Sequence, residues 1–252
     1  MTDKYEWLHT VRRFELDQGF RYFPEDKNKS ILEIGSGTGF QLNIIEKDFK
    51  NCTGIEVKGS SYEVQNSKIT EYDGKSIPFD DKSFDVVFSS NVLEHIRDID
   101  DYNKEIHRVL KDNGICVHIL PSSSWRFWTS LMHYPLLIIT LTKILIGLFG
   151  VKNNSIEELS KHDKNKIKSN LLFSEKHGER GNVLTEHYYF SEKFWRKSFE
   201  LNNWEIESIK STGLFYWGRD FLKLKLSILT RIKLSRLLGS STKIYHLRKR
   251  NI

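Results

Sequence analysis

The chain has 252 residues, with 39 Lys and Arg against 33 Asp and Glu for a net charge of +6, and is 38% hydrophobic and 29% charged. That suits a soluble globular protein of one domain plus an insertion, long enough to bury a large core. Only two cysteines occur, Cys52 and Cys116, each inside an expected buried strand, so they read as inert core thiols in preference to a disulfide or metal pair. The charge is uneven: residues 219–252 hold ten Lys and Arg against Asp220 alone, a local +9, and the rest of the chain sums to −3. A nucleic-acid footprint over the whole domain is therefore disfavoured against a local anionic partner such as a lipid surface.

Residues 1–6 form no apolar signal segment, which places the expected protein in the cytoplasm. Trp7, Leu8, Val11 and Phe14 fall at helical spacing within residues 5–20. The helix they predict covers a sheet, with closure over a cofactor as the alternative role. Next come a strand at 31–35, a helix at 38–48, a strand at 52–57, a short helix near 60–66, and strands at 68–72 and 84–89. A helix at 98–111 and a strand at 114–120 follow, separated by the stop and turn Lys111-Asp112-Asn113-Gly114. Strands alternating with helices predict an α/β, Rossmann-like, mostly parallel sheet with helices on both faces.

Residues 1–120 thus form an N-terminal helix and a ligand-binding core. Residues 121–184 form an insertion, and 185–252 complete the sheet. The insertion holds a nearly continuous apolar stretch at 131–151, interrupted by Pro135 and Lys143. A membrane span needs about 20 apolar residues and an exit on the far side, whereas this chain must return to finish its sheet. An internal cap or a membrane-docking segment fits instead. The Lys-rich residues 152–184 read as a lid or a solvated face. A helix at 192–202 and a strand at 204–212 follow, then a basic, apolar surface helix within 219–239. A last strand at 243–247 completes seven strands through an antiparallel hairpin.

The run Ile31-Leu-Glu-Ile-Gly-Ser-Gly-Thr-Gly-Phe40 carries the chemistry. Three alternating glycines, Gly35, Gly37 and Gly39, let backbone N–H groups approach a ligand at a helix start. A dinucleotide site has a Gly or Ala where Phe40 stands, and Glu33 would repel a pyrophosphate. A carboxylate there attracts a cationic, amino-acid-like ligand such as S-adenosylmethionine. Glu56 ends the next apolar segment, where it can accept from both ribose hydroxyls.

With Tyr72-Asp73-Gly74 and the run through Ser90-Asn91-Val92-Leu93-Glu94-His95, the chain resembles the class I S-adenosylmethionine-dependent methyltransferases. Within them it is most similar to the broad group of ubiquinone, menaquinone and glycan enzymes. The resemblance covers residues 30–120 and returns near 185–210. It implies that Glu33 orients the cationic end of the cofactor, that Gly35, Gly37 and Gly39 shape the loop beside it, and that Glu56 holds the ribose. It also implies that Asp73 and Gly74 lie at the adenine end and that Asn91 and Val92 lie at the carboxyl edge of the fourth strand. His95 is the matched histidine after that strand, either a base or a packing residue. His187 matches a histidine of glycan-type relatives that faces the acceptor. The remaining histidines show no metal-ligand spacing. Asn203 stands where relatives carry glycine, and Asn tolerates the left-handed geometry.

The expected activity is O-methylation of a lipid-linked or surface-glycan precursor, with S-adenosylmethionine as cofactor. The acceptor is a small molecule or a lipid-linked saccharide, and peripheral membrane contact runs through 131–151 and 219–239. A quinone or isoprenoid-ring methyltransferase and a non-catalytic partner subunit are the alternatives. Nucleic acid is disfavoured because Ser90-Asn91-Val92-Leu93 lacks the Pro-Pro arrangement that grips a base amine.

Overall fold

The computed structural model describes residues 3–135, 137, 138, 141, 142, 173–218 and 226–250. Its centre is β1 (Ile31–Ile34), buried at every position because neighbours pair with both its edges and helices cover both its faces. Each fully buried Ile or Leu there contributes about 1.5–3 kcal/mol. On one side lie β2 (Cys52–Val57) and β3 (Ile69–Tyr72). On the other lie β4 (Phe84–Ser90), β5 (Leu110–Pro121), β7 (Thr242–Lys249) and β6 (Trp204–Ser211). The strand order is β3-β2-β1-β4-β5-β7-β6, with β7 antiparallel to both its neighbours. This is the predicted seven-stranded, mostly parallel sheet with its antiparallel hairpin.

One face packs on α1 (Asp3–Gly19) and α2 (Phe40–Ile45), through Leu16, Leu42 and Ile45 against Ile31, Val86 and Phe88. The other packs on α3 (Ile99–Val109) and α6 (Glu192–Leu201), where Ile106, Trp195 and Phe199 meet Leu32, Val87 and Cys116. Cys52 and Cys116 are both buried and free. Helix α6 starts at Ser191, whose hydroxyl accepts from the Phe194 N–H at 3.1 Å. It is followed by Asn203 at φ 59°, the left-handed position expected of that residue.

Several expectations change. Residues 60–66 form no helix and run irregularly past the ends of β1 and β2. The stop at 111–114 is a wide bulge inside β5: Phe84 pairs with Leu110, Val86 already pairs with Ile115, and the strand bends to keep its ladder. Pro121 leads directly into α4 (Ser123–Leu131), capped by the Ser122 hydroxyl accepting from the Trp125 N–H. A four-residue helix, α5 (Glu186–Tyr189), packs against α4. Within the expected 219–239 helix, α7 (Ile228–Leu238) is observed, and 219–225 lie outside the described residues. Most of the apolar stretch 131–151 and of the Lys-rich 152–184 also lies outside them. No helix among the described residues is long and apolar enough to cross a membrane.

Candidate functional site

The carboxyl ends of β1, β2 and β4 open into a cavity of about 270 Å³, roofed from one side by α1. The loop after β1 forms its floor. Gly35 has φ +71°, and a Cβ there would collide with the side chain of Val92, so the loop can lie against the β4 end only without one. Gly37 has φ +55° and donates its backbone N–H to Glu56 Oε2 at 2.7 Å. That bond ties the loop to the end of β2 and leaves the other Glu56 oxygen for a ligand hydroxyl.

Of the residues expected at the cofactor, Gly35, Gly37, Glu56, Asn91 and Val92 line this cavity, and His95 joins them at its rim. The others do not. Gly39 sits one step back as the cap of α2. Glu33 lies under the loop with one carboxylate oxygen unpaired, and burial pushes it up to about 8. It is largely neutral near pH 7 in the ligand-free protein, and a cation bound beside it would favour its charged form. Asp73 is exposed and accepts from the backbone N–H groups of Lys75 and Ser76, which lower its pKa and hold its own turn. Gly74 backs the wall behind Val57, where a Cβ would come within 3.2 Å of that side chain. His187 lies on α5 with its ring 6.5 Å from that of Phe127 on α4, away from the cavity.

Four contributors have no motif in the sequence. Arg12 of α1 is the only Lys or Arg among the described residues lining the cavity. Its guanidinium pairs at 2.6 Å with Glu15, a fully buried carboxylate that also accepts from Tyr216, Thr242 and Asn91. Tyr62, from the segment expected to be helical, lays its ring beside Gly37. Leu8 and His9 complete the roof, so α1 both covers the sheet and closes the cavity. An acidic residue at helix position 15 between apolar Phe14 and Leu16 was the available signal, because a buried carboxylate requires partners.

A glycine loop, a carboxylate at the second strand end, a cation from an N-terminal helix and a strand order reversing at β1/β4 together fit a nucleoside bearing an amino acid. Residues 32–118 match the methyltransferase domain family. Those residues carry a methyltransferase domain. The chain is 28% identical over 166 residues to a ubiquinone/menaquinone biosynthesis C-methyltransferase of Geotalea daltonii, covering 58% of this chain and 70% of that one. It is 32% identical over 97 residues to a ubiquinone biosynthesis O-methyltransferase of Pelagibacter ubique, covering 35% of this chain and only 40% of that one. A solved S-adenosylmethionine-dependent methyltransferase of Aquifex aeolicus superposes over 97% of this chain and 96% of its own, with a TM-score of 0.52 at 12% identity. That last likeness concerns the fold alone.

The methyltransferase cofactor fits these residues. Glu56 would hold the ribose hydroxyls, Arg12 the methionine carboxylate, and the loop at Gly35–Gly37 the backbone-facing edge. S-adenosylmethionine supplies an activated methyl group, so the protein's task is to align and desolvate the reactants.

Proposed function

We propose that this methyltransferase acts on a hydroxyl of an acceptor carried on an apolar tail, a lipid-linked or surface-glycan precursor, at a membrane surface. The observation that carries the reading is a solvent-facing apolar stripe. Phe127, Leu131, Tyr134, Ile138 and Leu141 are exposed at alternating spacings of four and three, on α4 and on the helical residues described beyond it. A buried helix would turn such a stripe inward. Helix α7 adjoins it, since the Ser124 hydroxyl and the Trp128 indole N–H both donate to the Leu238 carbonyl, at 2.6 and 2.9 Å. On α7, Leu229 and Leu237 are exposed together with Lys233 and Arg236. Leucines and cations sharing one face suit an anionic lipid interface.

His95, at the cavity rim, is the group suited to remove the hydroxyl proton. Burial and the nearby Arg12 and Arg180 lower its pKa, opposed by Glu179, so it is neutral and able to accept at pH 7. A ring methylation of a quinone or other isoprenoid-tailed acceptor is the second reading, favoured by the two quinone-biosynthesis relatives. Both readings share the tail. Incubation with methyl-labelled S-adenosylmethionine and fractionated cell extract tests them: label should enter the organic phase. A methyl on a saccharide or phosphate head group supports the first, and a methyl on a quinone ring carbon or ring hydroxyl the second. Label confined to small water-soluble products sinks both.

A further inference from the structure

Residues 174–186 run over the turn that follows β4. The Glu179 N–H donates to the Glu94 carbonyl at 3.0 Å. The Arg180 guanidinium donates to the carbonyls of Leu93, at 3.1 Å, and Ile96. Contact is close enough that a Cβ on Gly178 would stand 3.0 Å from the Glu94 carbonyl oxygen. The far end is anchored by Glu186, fully buried, whose Oε1 accepts from the backbone N–H groups of His177 at 2.8 Å and Gly178 at 2.6 Å. Its Oε2 lies 3.0 Å from Nε of Arg126, also fully buried. A buried ion pair is costly to break, because removal of one partner strands the other charge. The position of His177 is therefore fixed by the core of the protein, although its side chain reaches solvent.

That position is beside the reaction site. The His177 ring stands 4.8 Å from the His95 ring, edge to face, and 4.6 Å from the Trp125 ring. His95 lines the cofactor cavity, so His177 adds a second imidazole on its outer side. Beneath them lies Glu94, 1% exposed, with neither carboxylate oxygen hydrogen-bonded and Oε1 3.8 Å from His95 Nε2. The ligand atoms of the three residues all lie within 4.8 Å of one another.

A cation is the wrong occupant. Burial raises Glu94 to about 8, and partial desolvation with the nearby His95, Arg126 and Arg12 lowers His177, so the three groups are neutral near pH 7. Arg12 and Arg180 both act on Glu94, and Arg12 and Arg126 both act on His177. That field repels a metal ion and favours an oxygen that gains negative charge.

We propose that His177 and His95 form the acceptor-hydroxyl subsite, with the buried Arg126–Glu186 pair as its positioning device. The inference rests on the hydroxyl reading above. His177 orients the acceptor oxygen and His95 takes its proton. A lone pair of that oxygen forms the O–CH3 bond as the methyl–sulfur bond breaks. The electron pair of that bond stays on sulfur, giving S-adenosylhomocysteine, and the proton passes from His95 to water.

The test uses the full chain, methyl-labelled S-adenosylmethionine and both the organic and aqueous phases of a cell extract, with S-adenosylhomocysteine affinity measured by calorimetry. For His177→Ala the expected result is affinity within twofold of wild type, a transfer rate at least tenfold lower, and a higher extract concentration at half-saturation. His177→Gln should recover part of the rate, since it keeps a hydrogen-bonding group. Glu186→Gln should follow His177→Ala, with His187→Ala as an unaffected control. A His177→Ala rate equal to wild type would overturn the subsite, as would a parallel loss of S-adenosylhomocysteine affinity. One-to-one Zn²⁺ binding that His177→Ala abolishes would overturn it too, making the trio a metal site. The His177 effect is read on whichever phase is labelled, so a purely aqueous product would sink the apolar-tail reading while leaving the subsite supported.

Discussion

The backbone N–H of Gly37 donates to Glu56 Oε2 at 2.7 Å, joining the glycine loop to the carboxylate nineteen residues later. One residue thus shapes the loop, and its second oxygen would be placed to accept from a ribose hydroxyl. Glu56→Ala should weaken S-adenosylmethionine by about 1.5–3 kcal/mol, the scale of a hydrogen bond to a charged group. Gly37→Val should nearly abolish binding, because a β-branched residue cannot hold φ +55° without strain. Calorimetry reads both, and a cooperative melt checks the fold. Unchanged affinity in the two variants would remove the cavity from the cofactor.

Arg12 gives a prediction that separates the two ends of the cofactor. Its side chain is 23% exposed and held by buried Glu15, so it is set in place before any ligand arrives. Arg12→Gln should cost about 1.5–3 kcal/mol in S-adenosylhomocysteine binding. It should leave 5′-methylthioadenosine, which lacks the amino-acid end, bound as in wild type. Equal weakening of both ligands would place Arg12 in the scaffold instead.

Glu33 predicts a pH dependence of stability. Its folded pKa, about 8, stands above its ordinary 4.5 because burial penalises the carboxylate. An acid raised in this way contributes stability that is complete below 4.5 and is lost as pH rises through about 8. The slope is at most about 1.4 kcal/mol per pH unit, roughly 3 °C in Tm per unit for a domain of this size. Glu33→Gln should therefore gain on wild type between pH 5 and 8 in the ligand-free protein. Glu94, raised for the same reason, leaves part of the slope in the variant. Parallel melting curves across that range would show Glu33 to be solvated.

The sheet was legible because short β-rich runs between turn signals repeat locally, and the glycine loop because its backbone conformation demands those residues. Residues 60–66 escaped because the ligand cavity, not a helical core face, sets their path. Arg12 and His177 escaped for a different reason. Neither belongs to a local pattern; α1 folds over the sheet to deliver one, and Glu186 draws the strap 174–186 across the β4 turn to deliver the other. His187 carried the motif resemblance, yet its neighbour Glu186 performs the structural work and places a histidine nine residues earlier. Arg231 shows the same limit. It was expected on a basic surface helix, but it is 1% exposed with its guanidinium 4.2 Å from the Trp7 ring. Charge in a sequence does not reveal which way a helix turns.

That orientation sharpens the membrane prediction. Arg231 faces α1, so the cations of α7 available to lipid are Lys233 and Arg236. Each basic residue near an acidic leaflet contributes about 1 kcal/mol, and the attraction is screened by salt. Sedimentation with vesicles rich in anionic lipid should show binding that falls as salt rises and is poor on neutral lipid. Lys233→Gln with Arg236→Gln should weaken it by about 2 kcal/mol, roughly thirtyfold in affinity. Phe127→Ser with Leu131→Ser should weaken it at every salt concentration, because apolar insertion is not screened. A wild type left in the supernatant with acidic vesicles at low salt would mean that the stripe on α4 is covered from within the chain. The acceptor would then have to reach His95 without a membrane to present it, and a soluble small molecule would replace the lipid-linked one.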